Sequence, residues 1–404
     1  MSKVLLHIDL NAFFATAEEL RHPELRGKPL AIGGDGRSGI VSTANYVARK
    51  YGVHSGQPTF QARSLCKNLE LLPPDFDYYR MMSHSFFGRL KEVFPILEMA
   101  SIDEAYCDAT EVLSKKPDPI SFLRSLQNYL LEETGLSCSI GVGSTRWLAK
   151  MGSDLKKPFG LTVIRKKDVA RLLYPVPIES FWGIGKQTSP NLRSFGILTI
   201  GDLAKAIQDD RSDVKNTLGK FFDTAKAWLE GKGDDNVYLQ EADQKSISMT
   251  ETLDKDILSF EEGSQTLKRI VSEVCEKASL AKKVGSTASV ILKDSSFRLH
   301  QRSVSFDPPT NSASRLWPIA SELATELFAK LPGMPMRLIG FALSKLEDLS
   351  RQTVQMNFWN VEEYEELDKT KLLINDLNRK KKSKDPLFKR ASEAPKKGGS
   401  QNAD

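Results

Sequence analysis

Leu97-Glu98-Met99-Ala100-Ser101-Ile102-Asp103-Glu104-Ala105-Tyr106-Cys107-Asp108 is the stretch on which the fold turns. Apolar residues flank an acidic centre, which predicts strands over 97–101 and 105–108 around Ile102-Asp103-Glu104. Consecutive strand residues point to opposite faces, so both acids reach one site only if the chain turns between them. A third acid, Asp9, ends the apolar run Lys3–Asp9. A strand-end Asp and a hairpin Asp-Glu converge if their strands are neighbours in one sheet. Three carboxylates in one place cannot all ionise unpaired. Hard divalent cations neutralise them, and Mg²⁺ suits one or two carboxylates plus substrate phosphates. Two such ions, roughly 3.5–4 Å apart, clamp the attacking and leaving oxygens of an in-line phosphoryl transfer. The same residues also read as a cap on the helix that follows Asp9 and an acidic turn, and the acids alone do not decide between the two.

Outward from this hairpin, the first 165 residues mix strands and helices. The pattern predicts helices over 11–21, 45–51, 122–133 and 146–156, and strands over 39–44, 138–142 and 161–164. This suggests an α+β layer with helices on one face. Pro175 and Pro177 mark a boundary to a helical region, and 231–244 reads as a polar linker. A second α+β unit follows, with helices expected over 261–282 and 314–330 and strands over 286–293, 302–306 and 336–344. With 404 residues, 40% hydrophobic and 27% charged, several domains with real cores are expected. No apolar run approaches the roughly 18 residues of a membrane span. Four scattered cysteines without a CxxC pair, and a start without signal-peptide layout, fit a reducing cytoplasm and no zinc site. Net charge is +5, but the last 34 residues hold 10 Lys/Arg against 4 Asp/Glu, leaving the preceding 370 at −1. Any nucleic acid must therefore be held by local patches.

Four blocks carry a resemblance. Residues 9–18 read Asp-Leu-Asn-Ala-Phe-Phe-Ala-Thr-Ala-Glu, and 43–53 read Thr-Ala-Asn-Tyr-Val-Ala-Arg-Lys-Tyr-Gly-Val. Residues 101–106 read Ser-Ile-Asp-Glu-Ala-Tyr, and 149–160 read Ala-Lys-Met-Gly-Ser-Asp-Leu-Lys-Lys-Pro-Phe-Gly. In this order they resemble the signature blocks of Y-family translesion DNA polymerases, closest to the bacterial DNA polymerase IV type. The resemblance implies an α+β multidomain, right-hand architecture. Its parts would be a ferredoxin-like palm (1–10 and 76–165), fingers (11–75), a helical thumb with a helix–hairpin–helix (166–232), a linker (233–244) and an α+β little finger (245–348). A clamp-binding peptide and basic tail (349–404) would follow. The implied activity is DNA-directed DNA synthesis on damaged templates by two-metal nucleotidyl transfer with two Mg²⁺, without a proofreading exonuclease. Asp9, Asp103, Glu104 and the Leu10 carbonyl would hold the metals, Glu104 being the residue often named as the active-site one. Phe14 matches the steric gate against a 2′-hydroxyl, with Phe13 beneath it. Thr43, Tyr46, Arg49 and Lys157 match the residues that hold the incoming dNTP, and their hydroxyls and cations suit phosphate oxygens. One position departs: Asn11 stands where many members have Asp, and as Asn it is expected to cap the next helix.

Residues 177–204 look like the helix–hairpin–helix. There Gly183, Gly185 and Lys186 would bring backbone N–H groups and a charge to a phosphate of the primer-template DNA. In the second unit Lys282, Lys283, Lys293, Arg298 and Arg302 face only Asp294 across 282–302, and alternate strand side chains would make a basic, sequence-neutral stripe. Gln355-Met356-x-Phe358-Trp359 resembles the pentapeptide that docks on the bacterial sliding clamp. Primer-template DNA, dNTPs and the clamp are thus the expected partners of a monomer with no membrane contact. Two rival readings remain at this stage: a catalytically silent DNA-binding relative, and a nucleotide cyclase with a similar acidic palm.

Overall fold

The computed structural model describes residues 3–239 and 243–351. Among them lie twelve strands: β1 (Leu5–Leu10), β2 (Leu30–Gly33), β3 (Val41–Ala44), β4 (Glu70–Leu72), β5 (Leu97–Met99), β6 (Glu104–Asp108), β7 (Cys138–Gly143), β8 (Leu161–Ile164), β9 (Ser246–Ile257), β10 (Lys283–Asp294), β11 (Leu299–Thr310) and β12 (Met336–Asp348). They form three sheets, and the chain divides into two units, 1–243 and 244–404.

The first unit is built on the sheet β5-β6-β1-β7-β8, antiparallel except for the β7–β8 pair. β1 is buried along its whole length because it is central and covered on both faces. One face, with Leu6, Ile8 and Leu10, packs with Phe86, Leu90, Leu123, Leu126 and Leu130 of the helices Phe76–Val93 and Pro119–Thr134. The second of these ends at Gly135 (φ 72), a left-handed cap that glycine takes without strain. The expectation of helices on one face only is corrected. The helix Arg146–Leu155 crosses the opposite face, where β7 presents Gly141 and Gly143. A Cβ on Gly141 would lie 1.9 Å from the Ala149 carbonyl oxygen, and one on Gly143 2.6 Å from Leu148 Cβ. Glycine is what lets this helix lie against the sheet. The same helix sends Trp147, Leu148 and Met151 into the core of the helical region that follows, with Phe181, Leu192, Leu203 and Phe222.

The sheet β3-β2-β4 belongs to a small layer inserted after the helix Phe13–Arg21. The 76–93 helix, β2 and β4 were not foreseen in the sequence, nor was β9, whose polar residues hide a 12-residue edge strand.

The second unit is a sheet β11-β10-β12-β9, antiparallel throughout. One face is covered by the helices Phe260–Leu280 and Ala313–Lys330, through Leu267, Ile270, Val274, Leu316 and Leu323. The other face carries facing hydroxyl pairs, Thr287 with Ser305 (2.8 Å) and Ser289 with Ser303 (2.7 Å). The two prolines of β11, Pro308 and Pro309, fall on an edge strand, in the irregular stretch between the pairs Thr287–Ser305 and Gly285–Thr310.

Candidate active site

Asp9 and Glu104 are direct partners across the β1–β6 pair, so their side chains leave the same face of the sheet. His7 and Tyr106 stand one step down that face. The 146–155 helix, seated on Gly141 and Gly143, brings Lys150 over the acids. Its Nζ lies 2.5 Å from Glu104 Oε1 and 3.5 Å from Asp9 Oδ2. Lys157, just past the helix, places its Nζ 2.6 Å from Asp9 Oδ2 and 2.7 Å from Asp154 Oδ1.

Burial pushes the Asp9 carboxyl up to about 7, against the charge of Lys157. Burial also works against charge on Glu104, but the neighbouring His7 and Asp9 side chains and Lys150 outweigh it and hold that carboxyl below its ordinary value. Lys150 and Lys157 are both held above the ordinary lysine value despite burial, by Asp9, Asp154 and, for Lys150, Glu104. His7 is sealed from solvent. Its Nδ1 is 2.8 Å from Ser153 Oγ, while its Nε2 stands 3.5 Å from Glu104 Oε2 without a hydrogen-bond partner.

The third acid is placed differently. The Asp103 backbone carbonyl accepts from Leu10 N (2.9 Å), which fixes the hairpin to β1, but its carboxylate accepts from Ser101 Oγ at 2.6 Å. Among the described residues, no set of three or more His, Cys, Asp or Glu side chains is gathered as metal ligands. Two acids are together, the third is turned aside, and two ammonium groups supply the counter-charge. An oxygen-only donor set of facing carboxylates, with another carboxylate one residue away, suits a hard cation such as Mg²⁺.

Phe13 is buried in the palm core, 2% exposed, while Phe14 is only partly covered. The Phe14 ring stacks on Tyr79 (4.4 Å, 12°) and meets Phe76 edge-on (5.8 Å). Tyr79 is itself fixed by donating to the buried Glu18 carboxylate at 2.8 Å.

Thr43 lies in β3, half-buried. Asn45 caps the helix Tyr46–Arg49, accepting from Ala48 N at 2.9 Å, and sets the position of both Tyr46 and Arg49. Arg49 Nε donates to the Ala44 carbonyl (2.9 Å), with its guanidinium over the Tyr46 ring. The Tyr46 hydroxyl is buried with no partner, burial pushes its pKa up, and it feels the charges of Arg49, Lys157 and Asp9. A buried hydroxyl donor beside two cations suits an anionic oxygen.

Asn11 does not cap the 13–21 helix, whose N-cap is Ala12 at φ 47 without a side-chain bond. Its amide turns inward instead, to Ser139 and Phe159. Gly183 has φ 98, and a Cβ there would lie 2.5 Å from the Phe221 ring, so packing demands this glycine, whereas Gly185 faces open space beside the exposed Lys186. Beside them Trp182 stacks on Trp228 (5.3 Å, 9°).

The basic stripe of the second unit is not formed as expected. Arg302 pairs with Glu326 of the 313–330 helix, and its partner in register is the core residue Val290, so it lies on the covered face. Lys283 pairs with Asp348 at 2.7 Å. Lys293 shares the open face with Thr287 and Ser289, Lys282 is exposed in the turn before β10, and Arg298 is exposed in the turn between β10 and β11. Gln355, Met356, Phe358 and Trp359 lie outside the described residues.

Lys150, His7, Ser153 and Tyr79 were not singled out in the sequence. Lys150 sits inside a quoted block, four residues before Asp154 and seven before Lys157, and that helical spacing is a signal that could have found it.

Sequence models of known families match in three places. The impB/mucB/samB family matches residues 8–154, its C-terminal domain 244–358, and the family's HHH motif 166–197. DNA polymerase IV of Oceanobacillus iheyensis is 34% identical over 94% of this chain and 89% of its own length. That of Clostridium kluyveri is 33% identical over 99% of this chain and 98% of its own. Among solved structures, a Y-family DNA polymerase chimera of Dbh and Dpo4 superposes with a TM-score of 0.75 at 26% identity, covering 85% of this chain and 99% of that one.

Proposed function

The chain belongs to the impB/mucB/samB family, the Y-family DNA polymerases, and is a DNA-directed DNA polymerase of translesion synthesis; from that premise we propose how its residues carry the reaction. Asp9, Asp103 and Glu104, with the Leu10 carbonyl, would hold two Mg²⁺ ions. Bound there, they would supply charge neutralisation and a more acidic primer 3′-hydroxyl, which displaces pyrophosphate from the α-phosphate of the dNTP. The residues do the rest by position and charge. Lys157 leaves Asp9 as the acids gain other counter-charge and turns to the triphosphate. Arg49 and Thr43 meet further phosphate oxygens, and the Tyr46 hydroxyl donates the hydrogen bond it lacks. Lys150 favours the charged form of both acids and helps hold Glu104 ionised, while burial still raises the Asp9 pKa. Phe14, backed by Tyr79, presents an aromatic face to the sugar and blocks a 2′-hydroxyl. Gly185 and Lys186 contact the DNA backbone, as do Lys282, Lys293 and Arg298. A sliding clamp binds through Gln355, Met356, Phe358 and Trp359.

The observation that carries this reading is the register pair Asp9–Glu104 under two lysines, beside an unpartnered Tyr46 hydroxyl. Thermal unfolding of wild type with dNTP and Mg²⁺ should show added stability of about 2.7 kcal/mol at a hundredfold excess over the dissociation constant. Asp9→Ala and Glu104→Ala should lose that Mg²⁺-dependent gain and all primer extension. Extension at the wild-type rate by either variant would overturn the assignment.

A further inference from the structure

The turn that carries Lys157 is held by a side chain on the acid strand's own exit. Asn11 is 2% exposed and uses both ends of its amide. Its Oδ1 accepts from Phe159 N at 2.8 Å. Its Nδ2 donates to Ser139 Oγ at 2.9 Å, and Ser139 Oγ also accepts from Gly160 N at 3.2 Å. One amide and one hydroxyl thus satisfy two consecutive backbone donors just beyond Lys157. Phe159 stands at φ 56, a left-handed backbone that a bulky residue keeps only when its surroundings impose it. The turn is tight as well, since a Cβ on Gly160 would lie 2.3 Å from the Lys156 carbonyl oxygen. Asn11 is in turn fixed by its own backbone, its N–H donating to the Ser137 carbonyl and its carbonyl accepting from Thr16 Oγ1.

We infer that Asn11 is a positioning residue for Lys157: by holding the Phe159–Gly160 backbone it sets the height of the Lys157 ammonium over Asp9, and so its reach to the incoming triphosphate. This rests on the reading of Lys157 as a triphosphate contact. An alanine at 11 leaves the half-buried Phe159 N–H without its acceptor and frees the turn to relax. The loss falls on nucleotide capture, because Asp9 and Glu104 are held by their own strand pairing. Asn11→Asp keeps an acceptor for Phe159 N–H, and the Ser139 hydroxyl can turn to donate to it.

The test is single-nucleotide incorporation on an undamaged primer-template, with KM for dNTP and kcat measured for Asn11→Ala, Asn11→Asp, Lys157→Ala and the double variant Asn11→Ala/Lys157→Ala. Asn11→Ala should raise KM about tenfold, the scale of one lost hydrogen bond to a positioned group, with kcat changed less. Asn11→Asp should recover most of that loss. In the Lys157→Ala background, Asn11→Ala should add little, because residues that act through one another are non-additive. Full multiplication of the two KM effects would overturn the inference while leaving Lys157 as a phosphate contact. An unchanged KM in Lys157→Ala alone would overturn the reading of Lys157, and the inference with it. Should Asn11→Ala fail to fold, Ser139→Ala removes the second half of the same clamp and enters the same cycle. A KM rise for it that persists in full without Lys157 again refutes the coupling.

Discussion

One bond apart in the chain, Phe13 is sealed in the palm core while Phe14 leans against Tyr79 with part of its ring open. Helical geometry makes this split legible in the sequence, since adjacent helical residues cannot share one face. What backs Phe14 was not legible. Tyr79 lies 65 positions away on a helix the sequence pattern did not disclose, and its fixing partner Glu18 is a buried acid that composition would place outside. Asn11 failed as a predicted cap for the same reason: its partners, Ser139 and Phe159, are remote in sequence. The gate itself yields a residue-scale expectation. Phe14→Ala removes the aromatic face from the stack, so incorporation of ribonucleotides should rise by about 10–200-fold relative to deoxyribonucleotides, the range for one steric contact in a pocket. Competing rNTP and dNTP efficiencies on one template measure it, and undiminished rejection of rNTPs would place the gate elsewhere.

At the scale of elements, the site depends on how closely one helix lies on one strand. Cys138-Ser139-Ile140-Gly141-Val142-Gly143 alternates, and its glycines fall on the face where the 146–155 helix packs. The strand was legible from its apolar run, but the meaning of the bare face was not, because glycine in a strand marks close approach without naming what approaches. Gly141→Ala puts a methyl group into the Ala149 carbonyl. The helix must lift, and Lys150 and Lys157 rise with it. Stability should fall by about 3 kcal/mol, the upper range for overpacking, with primer extension lost while the protein is still folded. Thermal melts, and extension assays run about 20 °C below the melting midpoint, would separate the two effects. The second unit shows the opposite lesson. Strand period alone does not tell which face a basic residue takes beyond a turn: with Lys293 opposite Leu299, Arg302 pairs with Val290 and falls on the other face. Lys293→Ala should weaken DNA binding and lower its salt slope by about 1, whereas Arg302→Ala should leave the slope unchanged because its charge is spent on Glu326. Salt-titrated binding to one primer-template compares them directly, and equal slopes for the two variants would refute the face assignment.

Across the whole molecule, the order of the parts was legible because each motif block is local, whereas the joints between them were not. The segment 231–239 reads as a polar linker, yet Arg146 holds Glu98 with both terminal guanidinium nitrogens and reaches the Asn236 carbonyl, while Tyr238 N donates to Glu98 at 2.7 Å. Those contacts span up to 140 positions, and no local pattern encodes them. Charge is a whole-molecule property that the sequence does give. With residues 1–370 at −1, electrostatic grip on DNA is confined to a few side chains, and dissociation after few additions is expected. A tether to a ring encircling the duplex replaces free diffusion with a local concentration of about millimolar for a short linker. Gln355, Met356, Phe358 and Trp359 offer one polar and three apolar anchors for a groove, the composition of a small binding hot spot. Changing these four to Ala should abolish clamp-stimulated synthesis and leave clamp-free extension intact, both read on one preparation by product length. Surviving stimulation would place the docking peptide elsewhere. Collapse of clamp-free extension as well would make residues 355–359 part of the folded body rather than a tether.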